Sequence, residues 1–139
     1  MTTTDPRAAR AARAILVTGG LVMALATIGG ALGAHALSGR LAPAQLQIYD
    51  TAVRFQFFQA LGLLVLGAVA RGGYSDGLNA AAMLLLAGII TFCGSLYLLA
   101  FHITLGAPLV VGLTTPLGGI FLISGWLMFA IASWRSRRA

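Results

Sequence analysis

The chain contains no lysine, one cysteine and only three acids, Asp5, Asp50 and Asp76, in 139 residues. Charged residues make up 9% of a sequence that is 59% hydrophobic, whereas a soluble domain carries about a quarter. So few charges could not cover a water-facing shell, which places the chain in the membrane class. A lone Cys93 inside an apolar run excludes an intrachain disulfide and reads as a small packing residue. No G-x-S-x-G elbow, H-E-x-x-H pair, Gly-rich strand-to-helix loop or paired carboxylates are present, so no catalytic residue is expected. No spacing suits a metal, and no cofactor is expected. The three Asp residues fall outside or at the edge of the apolar runs, which removes the intramembrane carboxylate of a proton-coupled cation exporter.

What is present is arginine. All nine cations are Arg, and with abundant Ala and Gly this suggests a GC-rich, bacterial genome. The net charge of +6 does not mark a nucleic-acid partner. Arg7, Arg10, Arg13 and Arg135, Arg137, Arg138 flank apolar runs, and no basic face with interleaved aromatics exists. These are membrane-flanking charges.

A helix crosses the hydrocarbon core with about 20 apolar residues, and four segments approach that length: 14–37, 53–70, 78–101 and 109–134. Strands are excluded because the runs are apolar on every side rather than alternating. The expected fold is all-α: one four-transmembrane-helix bundle over 14–134, with basic cytoplasmic tails at 1–13 and 135–139. Placing both termini inside leaves only Arg40 and Arg54 outside, so the orientation is N-in, C-in. Arg7 to Arg13 followed by an apolar run and Ala34-His35-Ala36 resembles a cleavable signal. The run exceeds the 7–15 residues of a signal core, which favours a retained helix. Leu41, Leu46, Ile48 and Tyr49 alternate with Gln45, Gln47 and Asp50 after Pro43, predicting a short interfacial helix between the first two spans. Pro116 either starts the fourth helix, capped by Thr114 or Thr115, or kinks a helix begun near Leu109.

In lipid, helices associate through small residues. Ala26, Gly29, Gly30 and Gly33 on span one, and Gly118 and Gly119 on span four, are the expected packing positions. They serve packing within the chain or dimerisation. Polar side chains gather toward the outer ends of the spans: His35, Asp50, Arg54, Gln56, Gln59, Tyr97, His102, Thr114 and Thr115. Asp50 and Arg54 stand four apart, the spacing of a same-face ion pair. Gln56 and Gln59 share a face roughly opposite Arg54 and need partners on other helices. For Gln59 the candidates at matching depth are Tyr97, Thr115 and His35.

The stretches "GALGAHAL" (Gly30 to Leu37), "YDTAVRFQFFQALGLL" (Tyr49 to Leu64), "GSLYLLA" (Gly94 to Ala100) and "GLTTPLGGIFLISGW" (Gly112 to Trp126) occur in that order. Together they resemble the small four-helix membrane family called domain of unknown function 423, which includes the human transmembrane protein 256. The resemblance covers about residues 15 to 130 and implies a multi-pass protein of the bacterial inner membrane, with relatives in mitochondria. It carries no established activity. By similarity the family's recurring polar positions fall on His35, Arg54, Gln56, Tyr97, Thr115 and Pro116. This chain departs from the pattern at Gln59, where relatives often have His, and at Phe55, where Tyr is common.

Three functions compete. The first is a non-enzymatic accessory or assembly partner of a membrane complex. The second is an oligomeric small-solute or anion transporter or channel that uses an outer polar layer around Arg54. The third is a haem site on His35 and His102, or a quinone site on Tyr97, Arg54 and Gln59. The lipid bilayer is the expected partner, with a homo-oligomer or larger complex beyond it.

Overall fold

Pro6 opens the first helix, at a position where its missing N–H costs nothing, and in a computed structural model the chain is helical almost throughout. The structure describes residues 6–72, 76–103 and 108–136, with side chains described except at 108–112 and 136. Four helices carry it: α1 (Pro6–Leu37), α2 (Pro43–Gly72), α3 (Asp76–Ala100) and α4 (Pro108–Ser136). Each is long and apolar enough to cross a membrane. No strand occurs among the described residues.

Three boundaries can be compared with the sequence expectation. The basic segment is helical from Pro6 onward, and α1 carries Arg7, Arg10 and Arg13 on its first turns. The expected interfacial helix is not a separate element. Pro43–Gly72 is one helix of 30 residues, about 45 Å long against a core of about 30 Å. Nothing between Tyr49 and Val53 breaks it, so its first turns extend the span. Pro116 lies inside α4, which starts at Pro108. Of the two readings left open for Pro116, the structure has the helix begun near Leu109, and Pro116 in its third turn removes one backbone bond.

Successive helices are antiparallel neighbours. α1 packs chiefly on α2, α3 chiefly on α4, and α2 joins the two pairs by packing on α3. The α3–α4 register can be followed from side chain to side chain. Leu85 meets Gly125, Gly88 meets Leu122, Phe92 meets Gly118 and Ser95 meets Thr115. Each step of three or four residues forward on α3 is a step back on α4. On the α1–α2 side Gly19 lies against Leu63 and Leu64, Gly67 against Leu16, and Gly33 against Tyr49. A side chain at Gly67 would put its Cβ 2.7 Å from Leu16, so this glycine is what allows the two helices to approach.

Two turns are wider than α-helical, Gly33–Leu37 at the end of α1 and Ile89–Cys93 within α3. Such a turn disturbs the regular carbonyl pairing, and hydroxyls stand beside both. Thr91 Oγ1 donates to the Ala87 carbonyl at 2.8 Å and Ser95 Oγ to that of Phe92 at 2.8 Å. Ser38 Oγ donates to the Ala34 carbonyl at 3.0 Å.

The core is built from Leu63, Leu66, Leu85 and Cys93, all sealed from the surface, with alanines at 12, 60 and 81. Large apolar side chains also cover the outside. Val17, Leu21, Leu25, Ile28 and Leu32 form an exposed row along α1, as do Leu117, Ile120, Leu127 and Ile131 along α4. In water such surfaces would drive aggregation; in lipid they are the solvated faces.

Candidate functional site: the interhelical polar network

Gln56 is buried on the inner face of α2, and its amide is fully oriented by two neighbours. Its Nε2 donates to the Val22 carbonyl of α1 at 3.2 Å, and its Oε1 accepts from the Tyr97 hydroxyl of α3 at 2.8 Å. One side chain thereby ties three helices. Beside it the Tyr49 hydroxyl donates to the Gly29 carbonyl at 2.7 Å, and the Tyr49 and Tyr97 rings meet edge-on with centroids 5.3 Å apart. One turn deeper, Trp126 Nε1 of α4 donates to Gln59 Oε1 at 2.9 Å. The indole reaches α2 because Gly62 leaves room: a Cβ there would lie 2.8 Å from Trp126 Cζ2. On the α3–α4 side the Ser95 and Thr115 hydroxyls meet at 2.7 Å. These bonds explain how polar side chains are accommodated in a lipid-facing bundle, where an unmet polar group costs several kcal/mol.

The nine expected polar positions separate into two groups. Gln56, Gln59, Tyr97 and Thr115 enter the interior network, and Thr114 is half-buried on the same turn as Thr115. His35, Asp50, Arg54 and His102 are exposed. No ion pair joins Asp50 to Arg54 among the described residues. Asp50 leans instead toward α1, where a Cβ on Gly33 would stand 3.4 Å from its Oδ1. His102 has a backbone role. Its φ is 54°, the left-handed conformation at which helices commonly end, and the bonds follow that ending. His102 N donates to the Leu99 carbonyl at 3.1 Å and Ile103 N to that of Leu98 at 2.9 Å, the paired pattern of a Schellman motif. No group of three metal-ligating side chains occurs among the described residues.

Gln59 finds Trp126, not Tyr97, Thr115 or His35. Sequence reasoning overlooked Trp126 because tryptophan in a span reads as apolar bulk, and its single N–H donor gives no periodic signal. It also overlooked Gln45, which lies in the segment expected to be interfacial. Gln45 Oε1 accepts from the Ala42 amide at 3.0 Å, while its Nε2 donates to the Ala100 carbonyl at 3.1 Å. It thus caps the start of α2 and the end of α3 together, reaching back to its own helix start as in a capping box. Gln45→Ala is expected to lower stability by about 1–2 kcal/mol. Thermal unfolding in detergent micelles measures this, and an unchanged midpoint would remove the double cap from the account.

Of the small residues, Ala26 is sealed, Gly33 lies against Tyr49, and Gly118 lies against the Phe92 backbone. Gly29 and Gly30 make ordinary contacts, with a Cβ at Gly29 3.4 Å from Val53 and one at Gly30 3.7 Å from it. Gly119 faces open space.

Four apolar helices, a lipid-facing exterior and a core tied by buried amides and hydroxyls define a polytopic membrane protein. The chain belongs to the family described as protein of unknown function (DUF423), whose model matches residues 29–119. It is 36% identical over 120 residues to the UPF0382 membrane protein SH2409 of Staphylococcus haemolyticus, covering 86% of this chain and 94% of that protein. It is 39% identical over 121 residues to the UPF0382 membrane protein SERP0230 of Staphylococcus epidermidis, covering 87% and 95%. With the UPF0382 membrane protein YwdK of Bacillus subtilis the identity is 37% over 116 residues, covering 82% and 91%. No solved structure matches significantly.

Proposed function

We propose that the protein is a non-enzymatic accessory or assembly subunit of the bacterial inner membrane, with both termini in the cytosol, that joins a larger membrane complex through its lipid-level helix faces. One observation carries this reading: among the described residues Gln56, Gln59 and Ser95, the polar residues that are buried, each bond to another helix of the same chain, and Ser133 Oγ is the one sealed side-chain atom left without a partner. Polar groups engaged in this way hold a bundle together and do not line a hydrated path for a solute. The apolar rows on α1 and α4 offer the surface through which another membrane protein could be met. The Arg excess at the two termini supports the orientation.

Affinity purification from native membranes in mild detergent tests the reading. A second membrane protein is expected to co-elute in fixed stoichiometry, identified by mass spectrometry. Elution as a monomer alone would refute the accessory role. Elution as a pure homo-oligomer would refute it too, and would favour a solute path between protomers. Reporters fused to each terminus should be active in the cytosol, and periplasmic activity at either end would overturn the orientation.

A further inference from the structure

Gln59 uses only the oxygen end of its amide within the bundle. An indole N–H can only donate, so Trp126 requires the amide oxygen, and the 2.9 Å bond forces the Gln59 NH2 to the other side. Gln59 is 7% exposed. Its NH2 has no partner among the described residues, yet it is not among the sealed atoms left without one, a state found only for Ser133 Oγ among the described residues. The nitrogen is therefore not sealed and opens to the surface. That opening lies about 9 Å of helix rise below Val53, where the apolar run begins, at a depth where water is scarce. Beside it stands Trp126, 39% exposed and braced against Gly62 and the Phe129 ring at 6.1 Å. An indole surface next to a pair of unused N–H donors, set in hydrocarbon, matches one chemistry: an oxygen acceptor carried into the membrane on an apolar body.

We propose that the Gln59 amide, flanked by the Trp126 indole, is a binding site for the carbonyl oxygen of a lipophilic molecule, either a long-chain quinone-type head group or the ester carbonyl of a phospholipid. The site donates from Gln59 Nε2 to the carbonyl, while the exposed indole packs against the apolar part of the ligand. The occupant is a small lipophilic molecule rather than a protein, so the site does not rest on the accessory role proposed above.

The test uses the full chain with Trp134→Phe, which leaves Trp126 as the only tryptophan, in nanodiscs of ether-linked phosphatidylcholine, whose lipids lack ester carbonyls. A decyl-substituted benzoquinone is the probe, and it is expected to quench Trp126 along a saturating curve. Gln59→Leu should raise the half-saturating concentration on the order of tenfold, the loss of one hydrogen bond in a dry site. Because Leu also leaves the indole N–H without a partner, Gln59→Met is the second variant: its sulfur is a weak acceptor for the indole and it has no N–H to offer. Repeating the titration in ester-linked phosphatidylcholine separates the sources. A curve shifted to higher probe concentration identifies the lipid carbonyl as an occupant, and an unshifted one identifies the quinone-type head. Quenching that rises linearly and is equal in all variants, or absent altogether, overturns the proposal. Saturating quenching that Gln59→Met leaves unchanged overturns it as well.

Discussion

Gly118→Ala should destabilise the bundle by about 2–3 kcal/mol, while Gly119→Ala, one residue away, should be neutral or stabilising. In an open helix, Gly→Ala gains about 1 kcal/mol of propensity, and Gly119 is such a site because nothing lies within 4 Å of where its Cβ would be. At Gly118 the same methyl would collide with the Phe92 backbone nitrogen and lie 2.7 Å from its Cα. A flexible side chain could turn away, but backbone cannot, so α4 would have to move off α3. Overpacking of that kind costs about 1–3 kcal/mol and sometimes more. The shift would also reach the Ser95–Thr115 hydroxyl pair one turn away at 2.7 Å, which places the estimate at the upper end. Denaturant unfolding in micelles, followed by helical circular dichroism, reads both variants. Equal midpoints for the two would show that α3 and α4 do not meet at this register.

The second large effect is at Gln56. Gln56→Leu keeps the volume but removes both bonds and leaves the Tyr97 hydroxyl without an acceptor. Interhelical hydrogen bonds in membranes average about 0.6 kcal/mol and reach about 1.7, while an orphaned buried group costs about 1–3 kcal/mol. The sum favours a loss of about 2 kcal/mol for Gln56→Leu and about 1 kcal/mol for Tyr97→Phe, which removes the hydroxyl itself. The double variant orphans no side-chain hydroxyl, so it should cost less than the two singles added together. Strict additivity would mean that the 2.8 Å contact contributes nothing to stability.

Arg54 shows how a sequence signal can mislead about a site. A permanent cation at the mouth of an apolar run, four residues after an aspartate, suggests an ion-paired centre for the polar layer. In the folded chain Arg54 is on the outside, unpaired with Asp50, while the residues two and five positions on point inward. Helical periodicity already put Gln56 and Gln59 on the opposite face from Arg54. It could not say which of the two faces would be covered, because in lipid an apolar exterior is as acceptable as an apolar core. Gly118 and Gly119 make the same point, since adjacent glycines are alike as letters and differ by about 100° around the helix.

Several properties were determined by the sequence alone: the membrane class, four helical spans and their approximate limits, the family, and the need for amide partners between helices. Each rests on a local or compositional cause, such as few charges, long apolar runs or a carboxamide that cannot stay unbonded in hydrocarbon. Only the tertiary structure decided that Gln56 meets Tyr97 and Gln59 meets Trp126, that Gln45 closes two helix ends, and which glycines are under pressure. Those outcomes depend on the antiparallel register and the widened turn at Ile89–Cys93. The register arises from contacts between residues far apart in the chain, where no short-range pattern can record it.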